Sequence, residues 1–317
     1  MSKYCFGVDL GGTTVKIGLF DPEGTVLEKW EIPTRTTNGG VHVLPDVAQA
    51  ITASMAQHGI SAEQVSGIGI GVPGPVDDSF TVNKCVNLGW GVFNIKERMN
   101  ALLPEIPHVA AGNDANVAAL GELWQGGGRG NQSAVMITLG TGVGGGVVLN
   151  GKILMGCSGV AGEIGHMTID PYETETCGCG KKGCLEQYAS ATGMVRMAEK
   201  FLLENDRDSV LRQMKKITAK GLWDAAKEGD ILAKEITDFV CDRLGSAIAN
   251  AIYLVDVERI VLGGGVCAAG QILLDKVEKA YRGKVFAHSR NKTFMLAELG
   301  NDAGVYGAAA LVLSDVE

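Results

Sequence analysis

The sequence lacks the features of several classes of protein. Its formal net charge is −8, and no basic run is longer than Lys181-Lys182 or Lys215-Lys216. No extended basic surface is therefore predicted for nucleic-acid phosphates, and a DNA or RNA partner is not expected. The longest apolar region of the C-terminal half, residues 247–257, is interrupted by Asn250 and Asp256. This pattern favours a buried helix over a membrane span.

The sequence also shows no export signal, because no long apolar stretch near the N-terminus precedes a small-residue cleavage site. Eight cysteines in a chain of 317 residues with no such signal predict free thiols rather than a disulfide framework. We therefore expect a soluble cytoplasmic protein. Its hydrophobic content of 46% and its 45 glycines predict a large core, organised as two lobes.

Two stretches repeat the pattern of strand, glycine turn and strand. Residues 4–9 and 15–20 are predicted strands around Gly11-Gly12-Thr13-Thr14, and residues 25–32 extend them into an antiparallel meander. About 130 residues later, strands at 134–139 and 144–149 flank Gly140-Thr141-Gly142. The repeat predicts two related lobes that each offer a glycine turn to one ligand.

The remaining elements follow from hydrophobic spacing and from turn residues. A buried strand is expected at 65–72, ending in Pro73-Gly74-Pro75, and a short strand at 109–111 precedes a helix that Asp114 is suited to cap. The other predicted elements are helices at 41–57, 115–125, 271–281 and 303–313, a mainly helical stretch at 190–254, and a strand at 259–262.

The two glycine turns have the chemistry of phosphate-binding loops. Glycines allow backbone N–H groups to approach phosphate oxygens, and threonine hydroxyls add donors. Neither turn fits a Walker or a Rossmann motif, because no Gly-Lys-Ser/Thr closes the loop and a strand rather than a helix follows. Each turn alone could be an ordinary hairpin. Two such turns, with Asp9 ahead of the first, favour phosphate binding.

A histidine and three cysteines have the composition of a zinc site. His166, Cys177, Cys179 and Cys184 offer one imidazole and three thiolates, which predicts a closed tetrahedral, structural zinc site with no position for a catalytic water. The alternative is a set of free thiols near an unrelated histidine. Glu163 and Glu186 flank these ligands, so a loop folded around zinc would bring both carboxylates to one place, whereas each read singly could be a solvated charge at a helix end.

The sequence resembles the bacterial sugar kinases of the ROK family, which belong to the actin and hexokinase superfamily. The resemblance covers nearly the whole chain. It is carried by the cysteine cluster and by the segments Asp9-Leu10-Gly11-Gly12-Thr13-Thr14, Gly71-Val72-Pro73-Gly74-Pro75, Asn87-Leu88-Gly89-Trp90, Gly112-Asn113-Asp114-Ala115-Asn116, Leu139-Gly140-Thr141-Gly142-Val143-Gly144-Gly145-Gly146 and Gly162-Glu163-Ile164-Gly165-His166.

This resemblance implies an α/β fold of two ribonuclease-H-like lobes, as in actin-like ATPases, with a cleft between them. It implies a small lobe at 1–118, on which a C-terminal helix at about 303–317 packs, and a large lobe at 119–302 that carries the zinc loop. A homodimer is also implied. MgATP would be held by Asp9, Gly11, Gly12, Thr13, Thr14, Thr141, Gly142, Gly264 and Gly265, with Asp9 orienting hydrated Mg²⁺ and the last two glycines against the adenosine.

The resemblance further implies a hexose site. The sugar would contact Gly74, Asn87, Asn113, Asp114, Glu163, His166 and Glu186. Asp114 would be the general base that takes a proton from the sugar hydroxyl during phosphoryl transfer, in place of the helix-capping role that its position alone suggests. Trp90 is expected to serve packing rather than sugar stacking.

The expected reaction is ATP-dependent phosphorylation of the 6-hydroxyl of glucose, because residues 184–193 look closest to bacterial glucokinases. Kinases of N-acetylmannosamine, fructose, allose and mannose remain alternatives, and ATP and polyphosphate both remain open as donors. A sugar-sensing repressor would carry a DNA-binding helix-turn-helix, for which no room is expected before Asp9. An actin-like filament protein would lack the zinc cluster.

Overall fold

The computed structural model describes residues 4–106 and 108–313. These residues form two compact units. Of the described residues, 4–106, 108–134, 146–162 and 298–313 form the first unit, and Val135–Gly145 and Glu163–Ala297 form the second. These bounds differ from those of the lobes expected at 1–118 and 119–302, and the lobe boundaries stay a prediction. Residues 314–317 of the predicted C-terminal helix lie outside the described residues.

Strands and helices follow one another along the chain. The strands are β1 (Tyr4–Leu10), β2 (Thr14–Phe20), β3 (Val26–Pro33), β4 (Val65–Val72), β5 (Thr81–Val82), β6 (Phe93–Asn94), β7 (Val109–Asn113), β8 (Ala134–Leu139), β9 (Val143–Leu149), β10 (Lys152–Ile153), β11 (Arg259–Gly263) and β12 (Thr293–Leu296). The α-helices are α1 (Thr37–Gly40), α2 (Val43–His58), α3 (Ile95–Leu102), α4 (Asp114–Gln125), α5 (Glu186–Ala189), α6 (Ala191–Glu204), α7 (Ala219–Glu228), α8 (Ile231–Val255), α9 (Gln271–Arg282) and α10 (Ala303–Leu313).

The main sheet of the first unit has the strand order β3-β2-β1-β4-β7. The first three strands form the predicted antiparallel meander, whereas β1, β4 and β7 run parallel. Every residue of β4 is buried, as expected for a central parallel strand that is covered on both faces. The carboxyl ends of β1, β4 and β7 therefore meet at one edge of this sheet.

Helix α10 lies close against β1, β4 and α4 because glycines line the contact. A Cβ atom at Gly69 of β4 would lie 1.7 Å from the carbonyl oxygen of Ala308, and one at Gly7 of β1 would lie 2.1 Å from that of Val305. On the helix itself, a Cβ at Gly307 would lie 1.7 Å from the carbonyl oxygen of Val117 in α4. No side chain fits at these three positions, so backbone packs directly on backbone.

The second sheet has the strand order β10-β9-β8-β11-β12, and β11 runs parallel to β12. The 25-residue helix α8 begins after Asp230, whose Oδ1 accepts the N–H of Ala233 at 2.9 Å. Among the described residues, no helix combines the length and apolar character that a membrane crossing requires.

Candidate active site

Polar residues gather at the carboxyl edge of the first sheet. Asp9 in β1 is paired with Gly71 in β4, and the next residue of β4, Val72, is paired with Asn113 in β7. Asp9, the turn that follows β4, and the Asn113-Asp114 pair therefore lie at one edge. The carboxyl ends of parallel strands are where α/β proteins bind ligands.

Asp9 lies in a confined place at this edge. A Cβ atom at Gly304, in the first turn of α10, would lie 2.6 Å from the Asp9 carboxylate, and one at Gly71 would lie 3.5 Å from its Oδ1. Burial, and after it the charge of Asp114, raises the pKa of Asp9 to about 6, while Lys16 acts in the opposite direction. Two mutually repelling carboxylates favour a divalent cation, for which oxygen atoms are the preferred ligands.

The first glycine turn is a hairpin between β1 and β2. The N–H of Gly11 donates to the carbonyl oxygen of Thr14 at 3.0 Å, and the Thr34 hydroxyl donates to that of Gly11 at 2.7 Å. Gly12 and Thr13 are exposed at its tip. A Cβ at Gly12 would lie 4.0 Å from that of Asn87, so this asparagine is beside the turn. As predicted, a strand follows the turn.

Asn113, rather than Asp114, caps helix α4. The side-chain oxygen of Asn113 accepts the N–H groups of Ala115 and Asn116 at 3.0 and 3.3 Å, and its amide nitrogen donates to the carbonyl oxygen of Gly74 at 3.3 Å. Because β7 continues through Asn113, the helix begins at Asp114. Asn113 thus fills the capping role that the sequence left open for Asp114.

Three of the predicted sugar-binding residues line one cavity of the second unit. The cavity, of about 370 Å³, is lined by Thr138, Gly140, Gly142, Val143, Gly144, Glu163, His166, Glu186 and Gly264. Glu186 Oε2 accepts the N–H of Val143 at 3.0 Å, and a Cβ at Gly142 would lie 2.3 Å from the same oxygen. The second glycine turn and the Glu186 carboxylate are therefore in direct contact.

The start of α6 holds this second turn from behind. The hydroxyl of Thr192 donates to the carbonyl oxygen of Thr141 at 2.7 Å, and the N–H of Ala191 donates to that of Gly140 at 2.8 Å. The carbonyl groups of the turn thus face α6.

A second cavity of about 370 Å³ adjoins the same turn. It is lined by Gly140, Thr141, Ala191, Ala219, Lys220, Trp223, Asp224, Lys227, Gly265, Val266, Ala268 and Ala269. Of the residues predicted to hold the nucleotide, Thr141 and Gly265 line this cavity, whereas Gly142 and Gly264 line the first. The contribution of α7 was missed, because its amphipathic pattern indicates a packed helix but not what lies beside it.

The predicted metal ligands come together. The ligand atoms of His166, Cys177, Cys179 and Cys184 all lie within 4.8 Å of one another. His166 Nδ1 is 4.0 Å from Cys177 Sγ, and the Sγ atoms of Cys179 and Cys184 are 3.6 Å apart. The loop reverses at Gly180 and Gly183, whose φ angles are 85° and 71°, values that glycine adopts without strain.

The thiols of this cluster differ in environment. Burial raises the pKa of Cys184 to about 12, whereas the backbone N–H of Lys181 lowers the pKa of the exposed Cys179. A bound cation would favour the thiolate form of each ligand, since metal binding displaces thiol protons. The remaining cysteines of the described residues form no disulfide.

Two further residues singled out in the sequence, Trp90 and Gly74, lie in the first unit. Trp90 is 5% exposed, donates to the carbonyl oxygen of Gly40 at 3.1 Å and contacts the edge of Phe93, so it packs as expected. Gly74 lies beside Cys85, since a Cβ on this glycine would be 3.3 Å from that of Cys85.

The fold defines a class, the α/β proteins with the actin-like ATPase fold. The chain belongs to the ROK family, whose model matches residues 5–315. The family and the fold class predicted from the sequence are both confirmed.

Individual relatives are similar over their full length. The glucokinase of Halalkalibacterium halodurans is 41% identical over 315 residues, which is 98% of this chain and 95% of the relative. The crystal structure of a ROK hexokinase from Thermus thermophilus has a TM-score of 0.81 at 30% identity, covering 99% of both chains. That of a ROK family glucokinase from Streptomyces griseus, in complex with glucose and AMPPNP, has a TM-score of 0.68 at 33% identity, covering 97% of this chain and 98% of the other.

Proposed function

We propose that the protein is an ATP-dependent glucokinase that phosphorylates the 6-hydroxyl of glucose. The observation that carries the proposal is the single cavity that brings Glu163, His166 and Glu186 to the second glycine turn. Carboxylates accept hydrogen bonds from sugar hydroxyls, and the turn offers backbone N–H groups suited to phosphate. The glucokinase relative at 41% identity and the related structure with glucose and AMPPNP support this assignment.

Asp114 is proposed as the general base. Asp114 is the first residue of α4, at the carboxyl edge of the first sheet, and Asn113 rather than Asp114 caps this helix. A carboxylate there would accept the proton of the 6-hydroxyl as the oxygen attacks the γ-phosphorus of ATP. Asn87, Asn113 and Gly74 would complete the sugar contacts on this edge.

The nucleotide is proposed to contact both glycine turns. Gly11, Gly12, Thr13 and Thr14 in the first turn, with Thr141 and Gly142 in the second, would donate to phosphate oxygens, and Gly264 and Gly265 would lie against the adenosine. Asp9 would orient hydrated Mg²⁺, and the bound ion would neutralise phosphate charge. The raised pKa of Asp9 fits a carboxylate that receives a cation.

A structural zinc ion is proposed at His166, Cys177, Cys179 and Cys184. Zn–S and Zn–N distances of about 2.3 and 2.0 Å place tetrahedral ligand atoms roughly 3.5 to 3.8 Å apart, close to the 3.6 and 4.0 Å found here. His166 turns Nδ1 toward this cluster, so Nε2 would be its sugar-facing donor. We further propose a homodimer in the cytoplasm, where free thiols stay reduced.

The proposal is tested by ADP release with MgATP across glucose, mannose, fructose, allose, N-acetylglucosamine and N-acetylmannosamine, with polyphosphate as an alternative donor. We expect the highest kcat/KM for glucose and one equivalent of zinc per chain by elemental analysis. A preference for another hexose would make the protein a kinase of that sugar, and no sugar-dependent ADP release from zinc-loaded protein would refute kinase activity on this panel.

A further inference from the structure

Arg196 in α6 contacts the segments before and after residues 177–184, which carry the three clustered cysteines and are called the metal loop below. Its guanidinium group contacts Glu173 Oε2 at 2.7 Å and Glu175 Oε2 at 3.0 Å, and its Nε donates to the carbonyl oxygen of Gln187 at 3.2 Å. The side chains of Arg196 and Glu173 are 22% and 7% exposed. Residues 173–175 precede the first cysteine of the loop, and Gln187 directly follows Glu186.

Tyr188 reinforces the same contact. Its hydroxyl lies 2.7 Å from Glu173 Oε2 and 3.1 Å from Asp170 Oδ2, and its ring centre lies 5.2 Å from the Arg196 guanidinium. The other Glu173 oxygen accepts the N–H groups of Thr174 and Glu175 at 2.8 and 3.0 Å. Glu173 is thus held on both oxygens, and the Arg196 contact lowers its pKa to about 2.

Gln187 forms a second connection between these segments. Its Oε1 accepts the N–H of Cys184 at 3.1 Å, and its Nε2 donates to the carbonyl oxygen of Glu175 at 3.0 Å. The side chains of Arg196 and Gln187 therefore connect three parts of the structure: the backbone of Cys184, the segment at 173–175, and helix α5, which carries Glu186.

We infer that Arg196 is a positioning residue that holds the metal loop and Glu186 in a fixed relation, so that metal retention and sugar affinity depend on it together. This inference rests on the proposed zinc and glucose sites. A planar guanidinium can make all three contacts at once, whereas a lysine ammonium lacks this fork. Removal of Arg196 would also leave the Glu173 carboxylate buried without its cation, which favours movement of the segment.

The test compares Arg196→Lys and Arg196→Met with the wild type in two assays. In the first, zinc release to a chromogenic chelator gives the metal affinity, which we expect to fall by about tenfold or more, as for other residues that orient metal ligands. In the second, we expect the KM for glucose to rise by about tenfold, with kcat changed by less than about threefold and the KM for ATP unchanged.

Arg207→Met is the matched control. Arg207 makes a two-pronged ion pair with Glu235 at 2.7 and 2.6 Å, but its side chain is 47% exposed, and its side-chain partners, Asn205 and Glu235, lie outside residues 166–188. We expect both readouts to stay at wild-type values in this variant. The double variant E173Q/R196M should recover part of the lost zinc affinity, because it removes the unpaired carboxylate.

An Arg196→Met protein that keeps both the zinc affinity and the glucose KM of the wild type would overturn the inference, as would a fall in kcat alone. If Arg196→Met fails to fold, Arg196→Lys and Glu173→Gln carry the test. If the wild type binds no zinc, the proposed zinc site fails and the glucose KM still tests the role of Arg196. If it binds zinc but does not phosphorylate glucose, metal release alone decides.

Discussion

Two carboxylates, Asp9 and Glu173, lie in opposite electrostatic environments. Burial and the Asp114 charge raise the pKa of Asp9 to about 6, whereas Arg196 lowers that of Glu173 to about 2. Glu173 has a guanidinium, a phenol and two backbone N–H groups around it. Asp9 instead is repelled by the Asp114 charge, which Lys16 only partly offsets. The comparison separates a carboxylate that stabilises a loop from one that is suited to receive a cation.

The largest effect is expected from Asp114→Asn, which tests the carboxylate beside Asp9. An amide cannot take a proton from the sugar hydroxyl, so kcat should fall by about 10²- to 10⁴-fold. Glucose affinity, measured by calorimetry, should change by less than about fivefold because an amide still hydrogen-bonds to hydroxyls. The exposed Asp208→Asn is the control. Near-normal turnover of Asp114→Asn would refute the assignment of the base.

The next largest effect is expected from a change in the metal loop, which follows Glu173 in the chain. Cys184→Ser removes a buried cysteine that is a proposed zinc ligand, so the zinc content should fall well below one equivalent and the KM for glucose should rise by about 10- to 100-fold. Cys241→Ser, a buried cysteine in α8 outside the cluster, is the control for loss of a thiol. Full activity in metal-free Cys184→Ser protein would contradict a structural role for zinc.

Much of this organisation could be predicted from the sequence, and the two exceptions have different causes. Strand and helix periodicity predicted β4, β8 and α10 at their observed bounds, and Cys/His spacing predicted that His166, Cys177, Cys179 and Cys184 come together. The Arg196 contacts were not predictable, because Arg196 and Glu173 are 23 residues apart and no local pattern indicates which carboxylate an arginine reaches. The sequence did not identify the residue that caps α4, because Asn113 and Asp114 are both good caps.

The contribution of the Glu173 charge to stability can be measured with Glu173→Gln. The folded-state pKa of Glu173 lies below the ordinary value, so the charged form stabilises the fold above about pH 5, and this contribution is lost as the pH falls toward 2. We expect the variant to lose about 1 to 3 kcal/mol of unfolding free energy in urea at pH 7. The difference from wild type should shrink below pH 4. An equal loss at pH 3 would mean that packing, not charge, is responsible.

Asp9→Asn should raise the free energy of unfolding, by less than Glu173→Gln lowers it. The folded-state pKa of Asp9 lies above its ordinary value, so its ionisation disfavours the fold above pH 6 and has no effect below about pH 4. The variant should gain about 1 to 2 kcal/mol at pH 8 and none at pH 4, while losing activity with MgATP. A loss of stability at pH 8 would show that the Asp9 charge is already compensated without a cation.

The most direct test of glucokinase activity is product identity. Glucose 6-phosphate can be measured with a coupled dehydrogenase while ADP is measured in the same reaction with MgATP. The account predicts one glucose 6-phosphate for each ADP, with both products formed about 10²- to 10⁴-fold more slowly by Asp114→Asn. ADP release without glucose 6-phosphate, or phosphate found on another hydroxyl of glucose, would contradict it.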